Sequence, residues 1–351
     1  MSRTTKPMRA MIGARPIRIA AHTSAYDAAA AALAHHTRGE ILEAFARGDV
    51  VAGNSAPLSA ESHVRPGQTI WTFAPAPDEP AEPIALPVLL ENERFAIIDK
   101  PHYLATTPRG SHIAQTVTIA ARRQWNNPAM QPAHRLDRET AGLVLLTKSP
   151  RWRAPYQQLF QRHTARKTYL AIAPLAPELQ LPAHIALRLE KPPGSIAVRA
   201  VPGEPNTITI IESVRPLRGL AGARGGPAAR IGEPVVRTAT RSGVPTVRTA
   251  ANSADGCGDA RWAGGDVVAN RGSYGEYRVR PLTGKMHQIR VALSHCGIPL
   301  LGDPLYPRVL SAQESGQRAV PLQLLAAELA FTDPVTGEDV YVRSRRRLEV
   351  Q

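Results

Sequence analysis

A run of charged side chains stands immediately before an apolar stretch in the middle of the chain. Arg135, Asp137 and Arg138 fall within residues 134–139, and residues 143–146 then have the composition of a buried strand. Charge at the mouth of a core strand is costly unless the groups are paired or used in chemistry. Arg135 and Asp137 are two residues apart, so in an extended chain their side chains point to one side. They form either a structural ion pair or a carboxylate beside an arginine that can bind phosphate.

Two other segments carry side chains that could do chemistry. The alternating stretch 166–173 predicts a strand that contains Tyr169. A turn at Thr-Gly is followed by a predicted helix over 287–295, whose first turn presents His287 and Arg290 on one face. The beginning of a helix favours anions. Taken singly, Tyr169 fits an ordinary strand tyrosine. The first turn of the predicted helix fits a basic, solvated surface as well as it fits a binding site.

The three segments together resemble the motifs of the RluA-type RNA pseudouridine synthases. His-Arg-Leu-Asp at 134–137, Lys-Thr-Tyr-Leu-Ala at 167–171 and Thr-Gly-Lys-Met-His-Gln-Ile-Arg at 283–290 carry the resemblance in chain order. The chain departs from the family pattern at Ala141, where serine is frequent, and at Lys285 and Met286, where arginine and threonine are commoner.

The resemblance implies a role for each matched residue. Asp137 corresponds to the catalytic aspartate, Tyr169 to the tyrosine that stacks on the target uracil, and Arg290 to the arginine that pairs with the aspartate. Arg135 corresponds to the arginine that helps displace the base from the RNA stack. The remaining expected RNA-contacting residues are His134, Arg138, Lys285 and His287.

The reaction implied is the conversion of uridine to pseudouridine in RNA, with ribosomal or transfer RNA as the partner. Substrate and product are isomers of equal charge, so we expect neither a cofactor nor a metal. The reaction needs one nucleophilic carboxylate in a dry pocket. The sequence leaves open whether Asp137 attacks the sugar or abstracts a ribose proton. The fold implied is α+β, a mixed and mainly antiparallel sheet with flanking helices, preceded by a small α/β accessory domain.

Composition agrees with a nucleic-acid enzyme. The chain has 351 residues and a formal net charge of +14, which attracts polyanions. We expect no membrane-spanning segment, because no apolar run is long enough. Cys257 and Cys296 lack partners at metal-ligand spacing, and no secretory signal is visible, so we expect free thiols in the cytoplasm. We expect a monomer.

The chain divides by composition into four parts. Residues 1–23 predict a basic disordered tail, and 24–73 a small module that loosely resembles the S-four-type RNA-binding domain but has few basic residues on its helices. Residues 74–87, rich in proline and acidic groups, predict a linker. The catalytic domain is expected over 88–351, with a low-complexity insertion at about 216–272.

Three other functions compete with this interpretation. One is a non-catalytic RNA-binding protein that retains the synthase fold, although Asp137, Tyr169 and Arg290 are all present. Another is a hydrolase with Asp137 and Glu139 as paired carboxylates, which residues two apart in a turn are poorly placed to be. A metal-dependent nuclease would need a cluster of carboxylates or histidines, which the sequence does not suggest.

Overall fold

The computed structural model describes residues 8–9, 12–13, 15–34, 36–73, 84–108, 112–217, 236–239, 273–316 and 320–348. The helices are α1 (Ala25–Ala32), α2 (Arg38–Ala46), α3 (Val117–Gln124), α4 (Pro150–Gln161), α5 (Gln288–His295) and α6 (Ala312–Gly316). The strands are β1 (Met8–Arg9), β2 (Ile12–Gly13), β3 (Arg15–Arg18), β4 (Thr23–Ser24), β5 (Val50–Val51), β6 (His63–Val64), β7 (Thr69–Thr72), β8 (Val88–Glu91), β9 (Phe95–Lys100), β10 (Gln131–Pro132), β11 (Ala141–Thr147), β12 (Arg166–Pro174), β13 (Ala183–Glu190), β14 (Arg199–Val201), β15 (Thr207–Leu217), β16 (Val236–Ala239), β17 (Tyr274–Pro281), β18 (Leu324–Thr332) and β19 (Asp339–Arg343).

The chain forms two compact units. The first comprises Met1–Ala85 with Thr107–Pro128, and the second comprises Leu86–Thr106 with Ala129–Gln351. The second unit contains all three motifs that the sequence singled out.

A large sheet organises the second unit. Its main path runs in the order β14-β13-β15-β17-β12-β18-β11-β9-β8, with β10 added to β11, and with β19 joining β18 to β16. Within the described sheet the pairing is antiparallel except where β11 meets β18. The expected α+β class with a mixed, mainly antiparallel sheet is therefore confirmed.

The parallel contact between β11 and β18 depends on a glycine. Gly142 pairs with Ala326 and has a φ of 112°. A Cβ atom at this position would lie 2.3 Å from the Ala326 carbonyl oxygen. Only glycine allows this backbone approach and this φ together. The strand that follows the charged loop is thereby held against β18.

Apolar residues of β9, β11 and β18 form the core beneath α4. Phe95, Leu143, Leu145 and Leu329 are at most 2% exposed, and Tyr156 of α4 packs among them. Residues of β17 alternate between buried and half-buried, and α5 packs on β17 and on the neighbouring β15. The two motif segments at β11 and α5 are thus each fixed to the same sheet.

In its described part, the first unit contains a small three-stranded sheet and the helices α1, α2 and α3. Strands β3, β7 and β5 pair in that order, and α1 and α2 bury Ala29, Ile41 and Phe45 in a common core. Helix α2 begins at a capping box, in which Thr37 and Glu40 each accept the other's backbone N–H.

The described structure differs from the expected boundaries in two places. Strand β3 lies inside the expected tail 1–23, and it pairs with β7 because Ile17 supplies an apolar side chain to the small core. Helix α3 lies within residues 88–351, over which the catalytic domain was expected, but it belongs to the first unit. Most of the linker and the insertion fall on residues 74–83, 218–235 and 240–272, which lie outside the described residues, as does Cys257.

Candidate active site

The charged loop opens onto a cleft in the second unit. The loop lies between β10 and β11, and Asp137 projects into the cleft with 22% of its side chain exposed. The cleft has a volume of about 850 Å³, which is a size that accommodates a nucleoside. Arg135, Tyr169 and Arg290 line the same cleft, so the structure brings together the residues predicted to do the chemistry.

A buried lysine holds the loop in place. Lys100, at the end of β9, donates hydrogen bonds from Nζ to the carbonyl oxygens of Leu104 (2.7 Å), Pro101 (3.0 Å) and Arg138 (3.2 Å). Burial lowers the pKa of Lys100 to about 7, although the negative charge of Asp137 opposes that shift. The ammonium group therefore ties the residue after Asp137 to the end of a core strand.

Arg290 is anchored mainly by a second aspartate. Its Nε and Nη2 donate to the two carboxylate oxygens of Asp303 at 2.8 and 2.6 Å, in a bidentate pair. Burial alone would lower the pKa of Arg290, but the hydrogen bonds and charge of Asp303 leave it raised. The remaining nitrogen, Nη1, lies 3.9 Å from Oδ2 of Asp137. Arg290 is thus a fixed positive charge facing the loop carboxylate.

His287 faces the same carboxylate oxygen. Its Nε2 is 3.9 Å from Oδ2 of Asp137, and its Nδ1 is 2.9 Å from the Tyr306 hydroxyl. That hydroxyl accepts from the N–H of Val198 and donates to its carbonyl oxygen, so it is fixed to backbone. Burial lowers the pKa of His287, although the negative charge of Asp137 opposes this shift. His287 itself has a left-handed φ of 56° and caps α5, which aims its ring into the cleft.

Tyr169 presents a neutral ring to the cleft. It lies on β12 beside β17 and is 9% exposed. Burial raises its pKa, and the negative charge of Asp137 raises it further. The phenol therefore keeps its proton at physiological pH and offers an aromatic surface instead of a base.

Two residues expected to contact RNA have partners within the protein. His134 lines the cleft, stacks on Phe160 at 4.0 Å and accepts the N–H of Leu145 at its Nε2, and burial lowers its pKa to about 3. The ring is therefore neutral, and its contact with RNA stays a prediction. Arg138 is not among the cleft-lining residues, and its guanidinium lies 5.7 Å from the ring centroid of Tyr103.

The arrangement also bears on the paired-carboxylate hydrolase. Glu139 forms an ion pair with Arg138 at 2.9 Å and does not line the cleft. Asp137 and Glu139 consequently do not face a common substrate space, as a pair of glycosidic acids would have to.

Sequence reasoning assigned no role to four residues that build the site. Asp303 and Tyr306 follow α5, and Lys100 ends β9. Lys167 lines the cleft and donates to the Thr283 carbonyl at 3.4 Å, with its pKa lowered by burial. A charged residue beside apolar residues was the available signal for Lys100, Lys167 and Asp303, and Tyr306 carried no such signal.

Two negative findings concern the described part of the chain. No group of three His, Cys, Asp or Glu side chains there could hold a metal ion. No helix in the same residues combines the length and apolar character needed to cross a membrane.

The chain is similar in sequence to a family model and to several known proteins. A family model described as RNA pseudouridylate synthase matches residues 94–295. An uncharacterized RNA pseudouridine synthase of Synechocystis is 27% identical over 241 residues, which is 68% of this chain and 65% of that protein. The dual-specificity RNA pseudouridine synthase RluA of Vibrio vulnificus is 26% identical over 247 residues, 70% of this chain and 78% of that protein. Among solved structures, one is titled "Human RNA Pseudouridylate Synthase Domain Containing 1". The match covers 76% of this chain and 86% of that chain, with 16% sequence identity and a TM-score of 0.48.

Proposed function

This chain belongs to the RNA pseudouridylate synthase family, and we propose that it isomerises specific uridines of ribosomal or transfer RNA with Asp137 as the nucleophile. Isomerisation of uridine in RNA is the family's activity. The choice of RNA, the catalytic roles of single residues and a monomeric, cytoplasmic enzyme are parts of the proposal.

One observation carries the catalytic assignment. Oδ2 of Asp137 lies 3.9 Å both from Nη1 of Arg290 and from Nε2 of His287, at the wall of a cleft that Tyr169 also lines. Arg290 is held by Asp303 and does not need Asp137 as its main partner. The carboxylate consequently keeps oxygen lone pairs available to a ligand while a fixed positive charge orients it.

The reaction assigns a task to each of these groups. The bond between C1′ of the ribose and N1 of uracil breaks, the base turns, and a bond forms between C1′ and C5. A proton leaves C5 and a proton is gained at N1, so the equation balances without an oxidant or reductant. Asp137 acts at the sugar, and Tyr169 stacks on the uracil while it is free to turn. Such base–aromatic stacking contributes about 1–3 kcal/mol per base.

Arg135 is proposed to fill the gap that the displaced base leaves. Its exposed side chain belongs to the loop that carries Asp137 and lines the cleft with it. A target base inside a helix has to leave the stack before any enzyme can reach it. Lys285 and His287, also at the cleft, are the proposed contacts to the nucleotide backbone.

The first unit is proposed as an accessory RNA-binding module. Helices α1 and α2 and strands β5 and β7 lie within residues 24–73, the stretch that loosely resembles the S-four-type domain. Ribosomal RNA enters as a candidate substrate because one relative, from Zymomonas mobilis, is named ribosomal large subunit pseudouridine synthase D.

Mapping pseudouridine in cellular RNA tests the proposal. Chemical probing of total RNA should lose one or more pseudouridine signals when the gene is deleted, and the parent gene should restore them. A gene that encodes Asp137→Asn should not restore them. Restoration by Asp137→Asn would favour the non-catalytic RNA-binding alternative, and an unchanged map after deletion would contradict the proposed activity.

A further inference from the structure

An exposed aromatic residue stands beside the loop that carries Asp137. Tyr103 follows β9, has a φ of 63°, and is 45% exposed. The left-handed region is unfavourable for a bulky side chain and is comfortable for glycine. Residues that persist in this conformation cluster at binding sites, where the surrounding structure fixes them.

The turn that carries Tyr103 is fastened to the catalytic loop at several points. Nδ1 of His102 lies 2.7 Å from the carbonyl oxygen of Glu139. The hydroxyl of Thr106 donates to the carbonyl oxygen of Leu136 at 2.7 Å and accepts the N–H of Leu136 at 3.1 Å. With the bonds that Lys100 makes to both segments, residues 101–106 and 136–139 form one rigid unit. Tyr103 is therefore fixed in position relative to Asp137.

An arginine covers the Tyr103 ring. The guanidinium of Arg138 lies 5.7 Å from the ring centroid, and 43% of the Arg138 side chain is exposed. Arg138 directly follows Asp137 in the chain but does not line the cleft. An exposed aromatic ring with a guanidinium plane beside it has the two chemical features on which unpaired bases stack.

Charges of both signs surround this pair. Arg346 donates two hydrogen bonds to the carbonyl oxygen of Asp99 and is 31% exposed. Arg138 forms an ion pair with Glu139 at 2.9 Å. A phosphodiester chain that passes over this surface would meet the partly exposed guanidinium groups of Arg138 and Arg346.

We propose that Tyr103 and Arg138 bind the base of an unpaired nucleotide next to the target uridine. The inference rests on the proposed function, because it assigns the second surface to the same RNA strand whose uridine enters the cleft. Tyr103 and Arg138 then determine how the neighbouring nucleotide is held, while Asp137 and Tyr169 act on the uridine itself.

The substitution Tyr103→Gly separates the effect on RNA binding from the effect on stability. Tyr103→Gly removes the ring and relieves the left-handed backbone, so the melting temperature should equal or exceed that of the parent. We expect its Kd for an eight-nucleotide oligouridylate to rise about tenfold, because base–aromatic stacking is lost. Tyr103→Phe keeps the ring and should bind as the parent does. Arg138→Ala should weaken binding as well. The matched control is Arg151→Ala, which removes an arginine 4.4 Å from the Trp152 ring centroid. This control should respond to the loss of a base at each oligonucleotide position as the parent does.

Abasic oligonucleotides locate the stacked base. An abasic residue is moved along the oligouridylate, and the parent should lose about tenfold in affinity at one position besides the one that enters the cleft. Tyr103→Gly should lose nothing further at that position. The inference is overturned if Tyr103→Gly binds within twofold of the parent, or if the abasic effect is the same in both proteins.

An activity assay distinguishes failure of this inference from failure of the proposed function. Transcripts labelled with tritium at C5 of uracil release the label when pseudouridine forms. Tyr103→Gly should raise KM more than it lowers kcat. If the parent releases tritium and Tyr103→Gly has the parent's KM, this surface does not bind RNA and the proposed function stands. If the parent releases none from any transfer or ribosomal RNA transcript, the proposed function fails, and the oligonucleotide series still decides the role of Tyr103.

Discussion

Replacing each of the two aspartates that face Arg290 should affect stability and catalysis to different extents. Asp303→Asn removes the charge of a fully buried carboxylate that binds Arg290 at 2.6 and 2.8 Å. Asp137→Asn removes the charge of a partly exposed carboxylate 3.9 Å from the same guanidinium. Both substitutions conserve side-chain volume, so they isolate charge and hydrogen bonding from packing.

The geometry sets the expected magnitudes. Removal of one partner from a buried ion pair costs about 3–5 kcal/mol, since the other charge stays buried. In a domain of this size, 1 kcal/mol corresponds to about 2–4 °C in Tm, so Asp303→Asn should lower Tm by about 6–20 °C. A partly exposed pair beyond hydrogen-bond distance contributes at most about 1 kcal/mol, so Asp137→Asn should lower Tm by no more than about 4 °C. Arg290 would also shift when Asp303 is neutral, which should slow turnover at least tenfold.

Thermal unfolding monitored by circular dichroism, with tritium release from labelled transcripts, measures both effects. We expect Asp303→Asn to lose stability and part of its activity, and Asp137→Asn to lose activity alone. An unchanged Tm in Asp303→Asn would show that Asp303 does not anchor Arg290. An equal loss of Tm in both variants would show that the 3.9 Å separation understates the pairing of Arg290 with Asp137.

Two other predictions follow from the charges at the loop. The pKa of His134 is about 3 in the folded protein and about 6.5 when unfolded, so the unfolded state binds more protons between these values and stability falls as the pH falls. The free energy of unfolding should fall by about 2 kcal/mol between pH 6.5 and 5. His134→Gln should not show this fall, because its amide oxygen can still accept the Leu145 N–H but does not titrate. Urea midpoints at the two pH values measure the difference. Arg135→Ala should lower kcat more than it raises Kd and should leave the slope of log K against log salt nearly unchanged, because Arg135 acts on base extrusion and not mainly on phosphates. A fluorescent uridine analogue that is flipped at the parent's rate by Arg135→Ala would contradict that role.

The sequence predicted the second unit well where a single segment carries its own signal. The apolar run after Gly142 predicted a buried strand, and the structure extends it to Ala141–Thr147. The predicted helix over 287–295 begins at Gln288, because His287 adopts a left-handed conformation that no local pattern reveals. The pattern gave the element in both cases, and the tertiary contacts set its ends.

Contacts between segments that are distant in the sequence could not be predicted from local patterns. The bidentate bond of Asp303 to Arg290 depends on how the chain returns to α5 after residue 297. Burial against Phe160 leaves His134 neutral, which is a tertiary contact that no local pattern reveals. Strand β3 was not predicted because it contains basic residues, although its Ile17 packs into the small core.

Tritium release by Asp137→Asn, measured beside its RNA affinity, tests the central claim most directly. The parent should release the C5 label from an unmodified transcript that carries its target uridine. Asp137→Asn should release none while its Kd for the same transcript stays within about twofold, because the carboxylate is partly exposed and lies 3.9 Å from its basic neighbours. Release near the parent's rate by Asp137→Asn would contradict the account, since the reaction would then proceed without the carboxylate on which it depends.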